Sequence, residues 1–205
     1  MANRYLKIYG TCGIISAILL TVAYVVGAIL RPGYSSISQA ISELVEAGAP
    51  NKMLLDIILF GFHGLVIPFA YGMHRGINEG KGSKVGPLLL ACAGIIGIIL
   101  TAFFPCDPGC EFVTFRGIMH IFLAIPMGFM ILFSILAFSI RFKDTESWYI
   151  YVSYSIITFS AGVLLGILSV VFATSVIGGL LERLISASYQ QWYIVMGIKL
   201  IRSES

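Results

Sequence analysis

Three histidines, four cysteines and ten carboxylates carry most of the acid–base and metal-binding chemistry available to this 205-residue chain. The most specific arrangement is Phe104-Pro105-Cys106-Asp107-Pro108-Gly109-Cys110-Glu111. Asp-Pro-Gly is a turn sequence, and a tight turn brings Cys106 and Cys110 within disulfide reach. Closing so short a loop gains only about 2 kcal/mol in the chain-entropy picture, so the bridge's larger effect is to hold the Asp107 carboxylate in place. Three residues separate the cysteines, where thioredoxin-type thiol pairs have two, which favours a structural bridge over a redox couple. His63 and His120 are the other candidates, and each is followed within six residues by a proline, Pro68 and Pro126. A helical proline lacks a donor and clashes with the preceding turn, so the pattern predicts kinks that open a cup beside the histidines. Asp56 falls two turns from His63 on the same face, and Arg116 one turn before His120. His120 or His63 as general base, oriented by Asp107 or Asp56, with Ser42 or water as nucleophile, would be hydrolase-like chemistry. The plainer alternative is that each histidine hydrogen-bonds a neighbouring helix. A three-histidine metal site is excluded because His74 lies about 16 Å of helix below His63. A mixed site from His63, His120 and Asp107 or Asp56 has the right donor types, but the reading assigns neither metal nor cofactor.

The elements that must position these groups belong to a membrane. Apolar residues make up 58% and charged residues 11% of the chain, against about 25% charged in a soluble domain. A mean hydropathy of +0.94 does not fit a solvated surface. The expected fold is a single all-α, polytopic transmembrane bundle with spans near 8–30, 53–73, 85–104, 117–140, 148–174 and a shorter 186–201. Tyr189, Trp192 and Tyr193 suit the interface at the start of the last. The first run is too long for a signal peptide and lacks a cleavage site.

With a cytoplasmic N-terminus, Arg4, Lys7, Arg75, Lys81, Lys84, Arg141, Lys143, Lys199 and Arg202 fall inside, against Arg31, Lys52, Arg116 and Arg183 outside. The expectation is a multi-pass cell-membrane protein with both termini cytoplasmic. The net charge of +3 reflects topology and gives no sign of a nucleic-acid or soluble partner. The inner loops read as simple connectors. The outer ones read as short amphipathic helices on the surface. One has Ser36 and Gln39 as a capping box and Ile37, Ala40, Ile41 and Leu44 on one face, with Asn51 capping the second span. The other has Leu180, Leu181, Leu184 and Ile185 on one face and Glu182-Arg183 turned away. Gly162 and Gly166 form a small-residue stripe for helix packing.

Ile41-Ser42-Glu43-Leu44 after Arg31-Pro32-Gly33-Tyr34-Ser35, the Phe104–Cys110 turn, His120, and Leu181-Glu182-Arg183-Leu184 together resemble the bacterial and archaeal membrane proteins of domain-of-unknown-function family 998. The resemblance runs along nearly the whole chain and implies a six-span bundle without an assigned reaction, cofactor or substrate. The residues themselves suggest a polar pocket in the outer half, lined by Glu43, Ser42, Asp56, His63, Asp107, Arg116, His120, Glu182 and Arg183. Three functions fit such a pocket: binding of a lipid headgroup or other amphiphile, hydrolase-like chemistry, and ion or proton transport. Transport ranks last because the inner halves of the spans carry few polar groups. Membrane lipids are the expected partners, and the oligomeric state stays open.

Overall fold

A computed structural model describes residues 2–172 and 175–203. Six helices follow in order: α1 (Ala2–Leu30), α2 (Lys52–Gly76), α3 (Val85–Phe103), α4 (Phe115–Phe142), α5 (Tyr151–Val171) and α6 (Gly178–Arg202), with no strand among the described residues. Each packs against the next, and α6 returns to α1, so the bundle is a closed ring. Helix direction alternates, which gathers the loops at two ends. One carries the Cys106–Cys110 turn and is called the disulfide end. The other carries the start of α1 and the finish of α6 and is called the terminal end.

Helices α1 to α5 are long and apolar enough to cross a membrane. The expected sixth span is the exception. At 25 residues α6 reaches roughly 37 Å, but Glu182, Arg183, Gln190, Gln191 and Lys199 make it the most polar of the six. Its polar side chains face neighbours: Gln190 Nε2 donates to Ala17 O (3.2 Å) and Thr21 Oγ1 (3.3 Å), Gln191 Nε2 to Thr158 Oγ1 (3.0 Å), and Trp192 Nε1 to Ser155 Oγ (2.9 Å). At the α1–α6 crossing a Cβ on Gly10 would stand 2.5 Å from Gly197 O, so two glycines set how closely these backbones approach. The ring is filled by aromatic side chains, with Phe69 against Tyr193 (5.4 Å between centroids) and Phe138 against Trp192 (5.6 Å).

Several local expectations change. Pro68 lies within α2 and Pro126 within α4, and neither proline ends its helix. The surface helix expected after α1 is reduced to turns and one short 3-10 turn, Ser42–Val45. Asn51 takes a left-handed conformation and does not cap α2; its side chain donates to Leu30 O. The amphipathic element expected before the sixth span is the first two turns of α6, and Glu182-Arg183 point into the protein because the loop backbone offers them partners. Gly162 packs on Leu132, whereas Gly166 faces open space. The end of the expected fifth span, residues 173 and 174, lies outside the described residues.

Candidate functional site

The loop between α1 and α2 is held at the disulfide end by charged side chains that spend their hydrogen bonds on backbone. Arg31 pairs with Glu46 (2.6 Å) and also donates to Glu43 O. The second Glu46 oxygen accepts from Gly109 N (2.6 Å), and Ala47 N donates to Cys106 O (2.8 Å), tying this loop to the disulfide turn. Glu43 accepts from Ala40 N (2.9 Å) and Gln39 Nε2 (2.7 Å), closing its own turn. From α6, Glu182 accepts from Ile41 N (2.6 Å), while Arg183 donates to Gln39 O (3.0 Å) and to the Tyr34 hydroxyl (2.6 Å). Burial pushes the Tyr34 phenol above its ordinary range, and the adjacent Arg183 partly offsets that.

Cys106 and Cys110 are bonded, with Cα atoms 4.9 Å apart. The Ser42 hydroxyl lies 3.2 Å from Cys110 Sγ and, against a sulfur without hydrogen, is the donor. Asp107 turns the other way, onto α4. Its carboxylate accepts from Thr114 Oγ1 (2.7 Å), Thr114 N (2.7 Å) and Val113 N (3.1 Å), and Thr114 in turn caps α4 by accepting from Gly117 N (3.3 Å). The Thr114 hydroxyl first, then its backbone N–H, hold the Asp107 carboxyl below the usual carboxylate range.

The histidines are not partners of these carboxylates. His120 Nδ1 bonds Phe104 O at 2.7 Å, tying the start of α4 to the end of α3. His63 is buried with its ring on Gly97, where a Cβ would fall 2.0 Å from Nδ1, and it makes no side-chain hydrogen bond among the described residues. The two rings therefore meet α3 at Gly97 and Phe104, about two turns or 10 Å apart along the axis. Asp56 pairs with Lys52 one turn earlier, and its second oxygen is buried without a partner. Arg116 is exposed and forms no ion pair among the described residues. Ser42, Glu43, Glu182, Arg183 and the disulfide turn are thus brought into one network. His120 joins its edge, and His63 and Asp56 stand apart. Among the described residues no three of His, Cys, Asp or Glu gather closely enough to hold a metal ion.

Sequence reasoning passed over Arg31, Glu46 and Tyr34 in this network, and it missed a second network at the terminal end. Arg141 is buried in the last turn of α4. It donates to Ile77 O (2.6 Å), Lys81 O (2.6 Å), His74 O (3.0 Å), His74 Nδ1 (2.9 Å) and Ser83 O (3.2 Å), so one guanidinium gathers the end of α2 and the following loop. Trp148 stacks on Phe142 and donates to Gly76 O (3.2 Å), adding the α4–α5 connection. The loops at the terminal end are anchored structures, contrary to their reading as simple connectors.

Two concave surfaces lie toward the terminal end. A cleft of about 600 Å³ runs between α3 and α4, with an almost wholly apolar lining that includes Val85, Leu89, Pro126, Met130, Phe133 and Ile140. An open depression of about 790 Å³ at the α4–α5 connection is bordered by Lys143, Asp144, Glu146, Tyr149, Ile150 and Ser153.

Residues 14–199 match the family described as "Protein of unknown function (DUF998)". No curated protein and no solved structure matches the chain. The matched stretch covers most of the chain and takes in the disulfide turn, both hydrogen-bonded networks and the α3–α4 cleft, and the chain belongs to the DUF998 family.

Proposed function

We propose that this is a cell-membrane protein that binds an amphiphile drawn from the bilayer, with an acyl chain lying in the cleft between α3 and α4. The cleft carries the reading. It is a shallow groove with an apolar lining, and it opens on a face where Phe129, Phe133 and Ile140 are exposed. Exposed apolar surface on a membrane helix meets lipid tails, and a groove in that surface gains dispersion contacts with a tail that follows it. The basic-residue count supports cytoplasmic termini, and the disulfide fits the opposite, oxidising side. In this reading the polar network at the disulfide end fixes the helices, and the headgroup need not enter it. A hydrolytic reading lacks its pair, since neither Asp107 nor Asp56 bonds a histidine.

Reconstitution with a phospholipid carrying a photoreactive diazirine on its acyl chain tests this. Cross-links should map to Met130, Phe133 and their neighbours, and Met130→Trp, which fills the cleft, should remove them. Labelling spread evenly over exposed residues of all six helices would refute the reading.

A further inference from the structure

We infer that the cleft is a site for an anionic phospholipid of the leaflet at the terminal end, with the phosphate held by Lys84 and Lys143. The inference rests on the amphiphile reading and adds the headgroup class and its position.

The direction of the ligand follows from the depth of the cleft. On α4 its lining begins at Pro126 and finishes at Ile140, a rise of about 21 Å, and on α3 it is confined to Val85 and Leu89 in the first two turns. A half-bilayer of hydrocarbon is about 15 Å thick, so the cleft runs from the terminal-end edge to slightly past the midplane, and it reaches a headgroup layer only beyond Val85 and Ile140.

A cation stands at that place on each helix. Lys84 immediately precedes Val85 and is exposed. Lys143 follows Ile140 by three positions. Its helical backbone (φ −58, ψ −33) keeps it on the stripe Phe133–Leu136–Ile140 that lines the cleft, and its side chain also borders the depression at the α4–α5 connection. Among the described residues neither lysine forms an ion pair. Arg141, in the last turn of α4, is turned inward onto carbonyls and is not available to a headgroup. Asp144 and Glu146 border the depression beside Lys143 and oppose an anion there, which makes them a built-in control.

The test is native mass spectrometry of the full chain released from detergent, titrated with phosphatidylglycerol and with phosphatidylcholine of the same chains. A lysine near the surface is worth about fivefold in affinity for anionic lipid. Lys84→Gln and Lys143→Gln should each lower phosphatidylglycerol retention about fivefold, and together about 30-fold, without changing phosphatidylcholine. Asp144→Asn with Glu146→Gln should raise it. Arg116→Gln, at the opposite end, should leave it unchanged. Equal retention of the two lipids by the unaltered protein, or a preference lost with Arg116 and kept without the lysines, overturns the inference. If diazirine labelling still maps to the cleft, only the headgroup assignment has failed; if it does not, the amphiphile reading fails with it.

Discussion

Replacing Arg141 with Met removes five hydrogen bonds and leaves the apolar stem nearly unchanged. Arg141 is 6% exposed, and its Nη1 and Nη2 serve four backbone carbonyls and the His74 ring. Hydrogen bonds from a charged donor contribute more than neutral ones, and the carbonyls of Ile77 and His74 at the close of α2 would lose their partner. A buried acceptor left without its donor costs about 1–3 kcal/mol, so losing the partners of these carbonyls together costs about 3–5 kcal/mol. At about 2–4 °C per kcal/mol for a chain of this size, Arg141→Met should lower Tm by roughly 6–20 °C. Tryptophan emission during heating in detergent is the assay, since Trp148 and Trp192 are buried and Trp148 stacks on the residue next to Arg141. Arg141→Lys should recover less than half the loss, because one ammonium cannot span acceptors served by two separate nitrogens. The loss should persist at high salt, since screening acts weakly on buried groups. A Tm within about 1 °C of the parent for Arg141→Met, or full recovery by Arg141→Lys, would refute the assignment.

Alkylation under denaturing conditions should find two free thiols, Cys12 and Cys92, without reductant and four with it; four without reductant would contradict the bridge. Gly97→Ala drives a methyl into the His63 ring and should destabilise by about 1–3 kcal/mol, while Gly128→Ala, with open space, should be neutral or stabilising by up to about 1 kcal/mol in denaturant melts. Asp107 has a depressed folded pKa, so its contribution is complete above the ordinary carboxylate range and is lost as pH falls through the lower folded value. The stability gap between the parent and Asp107→Asn should therefore be constant above about pH 5 and shrink below about pH 4; a gap independent of pH would refute the role given to this carboxylate.

The first five spans were legible because long apolar runs broken by Gly, Pro and Lys admit few other readings. The disulfide turn was legible because Asp-Pro-Gly is a local signal. The sixth helix was less so: its donors are satisfied by Ala17, Thr21, Ser155 and Thr158 on other helices, and a hydropathy scale counts each polar side chain as if it faced lipid. Arg141 was hidden for a related reason. Four of its five acceptors are carbonyls, which every residue has, so nothing in the sequence of the loop announces a guanidinium site. Glu182 and Arg183 pair with backbone about 140 positions away, and from local pattern alone they read as a solvated face. Most of the residues gathered from the sequence as a candidate pocket spend hydrogen bonds on backbone, a partner that no residue type announces.

The polar α6 also bears on how the protein reaches its fold. A helix carrying two glutamines, a glutamate, a lysine and two arginines gains little by entering lipid alone, and several of its polar side chains find partners on α1, α5 and the α1–α2 loop. Helices α1 to α5 can enter the bilayer on their own hydropathy. Their ring stays open until α6 arrives, and α6 has no comparable drive of its own until they are in place. Assembly is therefore ordered by composition, with the least apolar segment last, and a five-helix intermediate would present Gly10, Thr21 and Ser155 as an unfilled seam. A lesion on that seam, far from any ligand, would leave five inserted helices and stall the sixth.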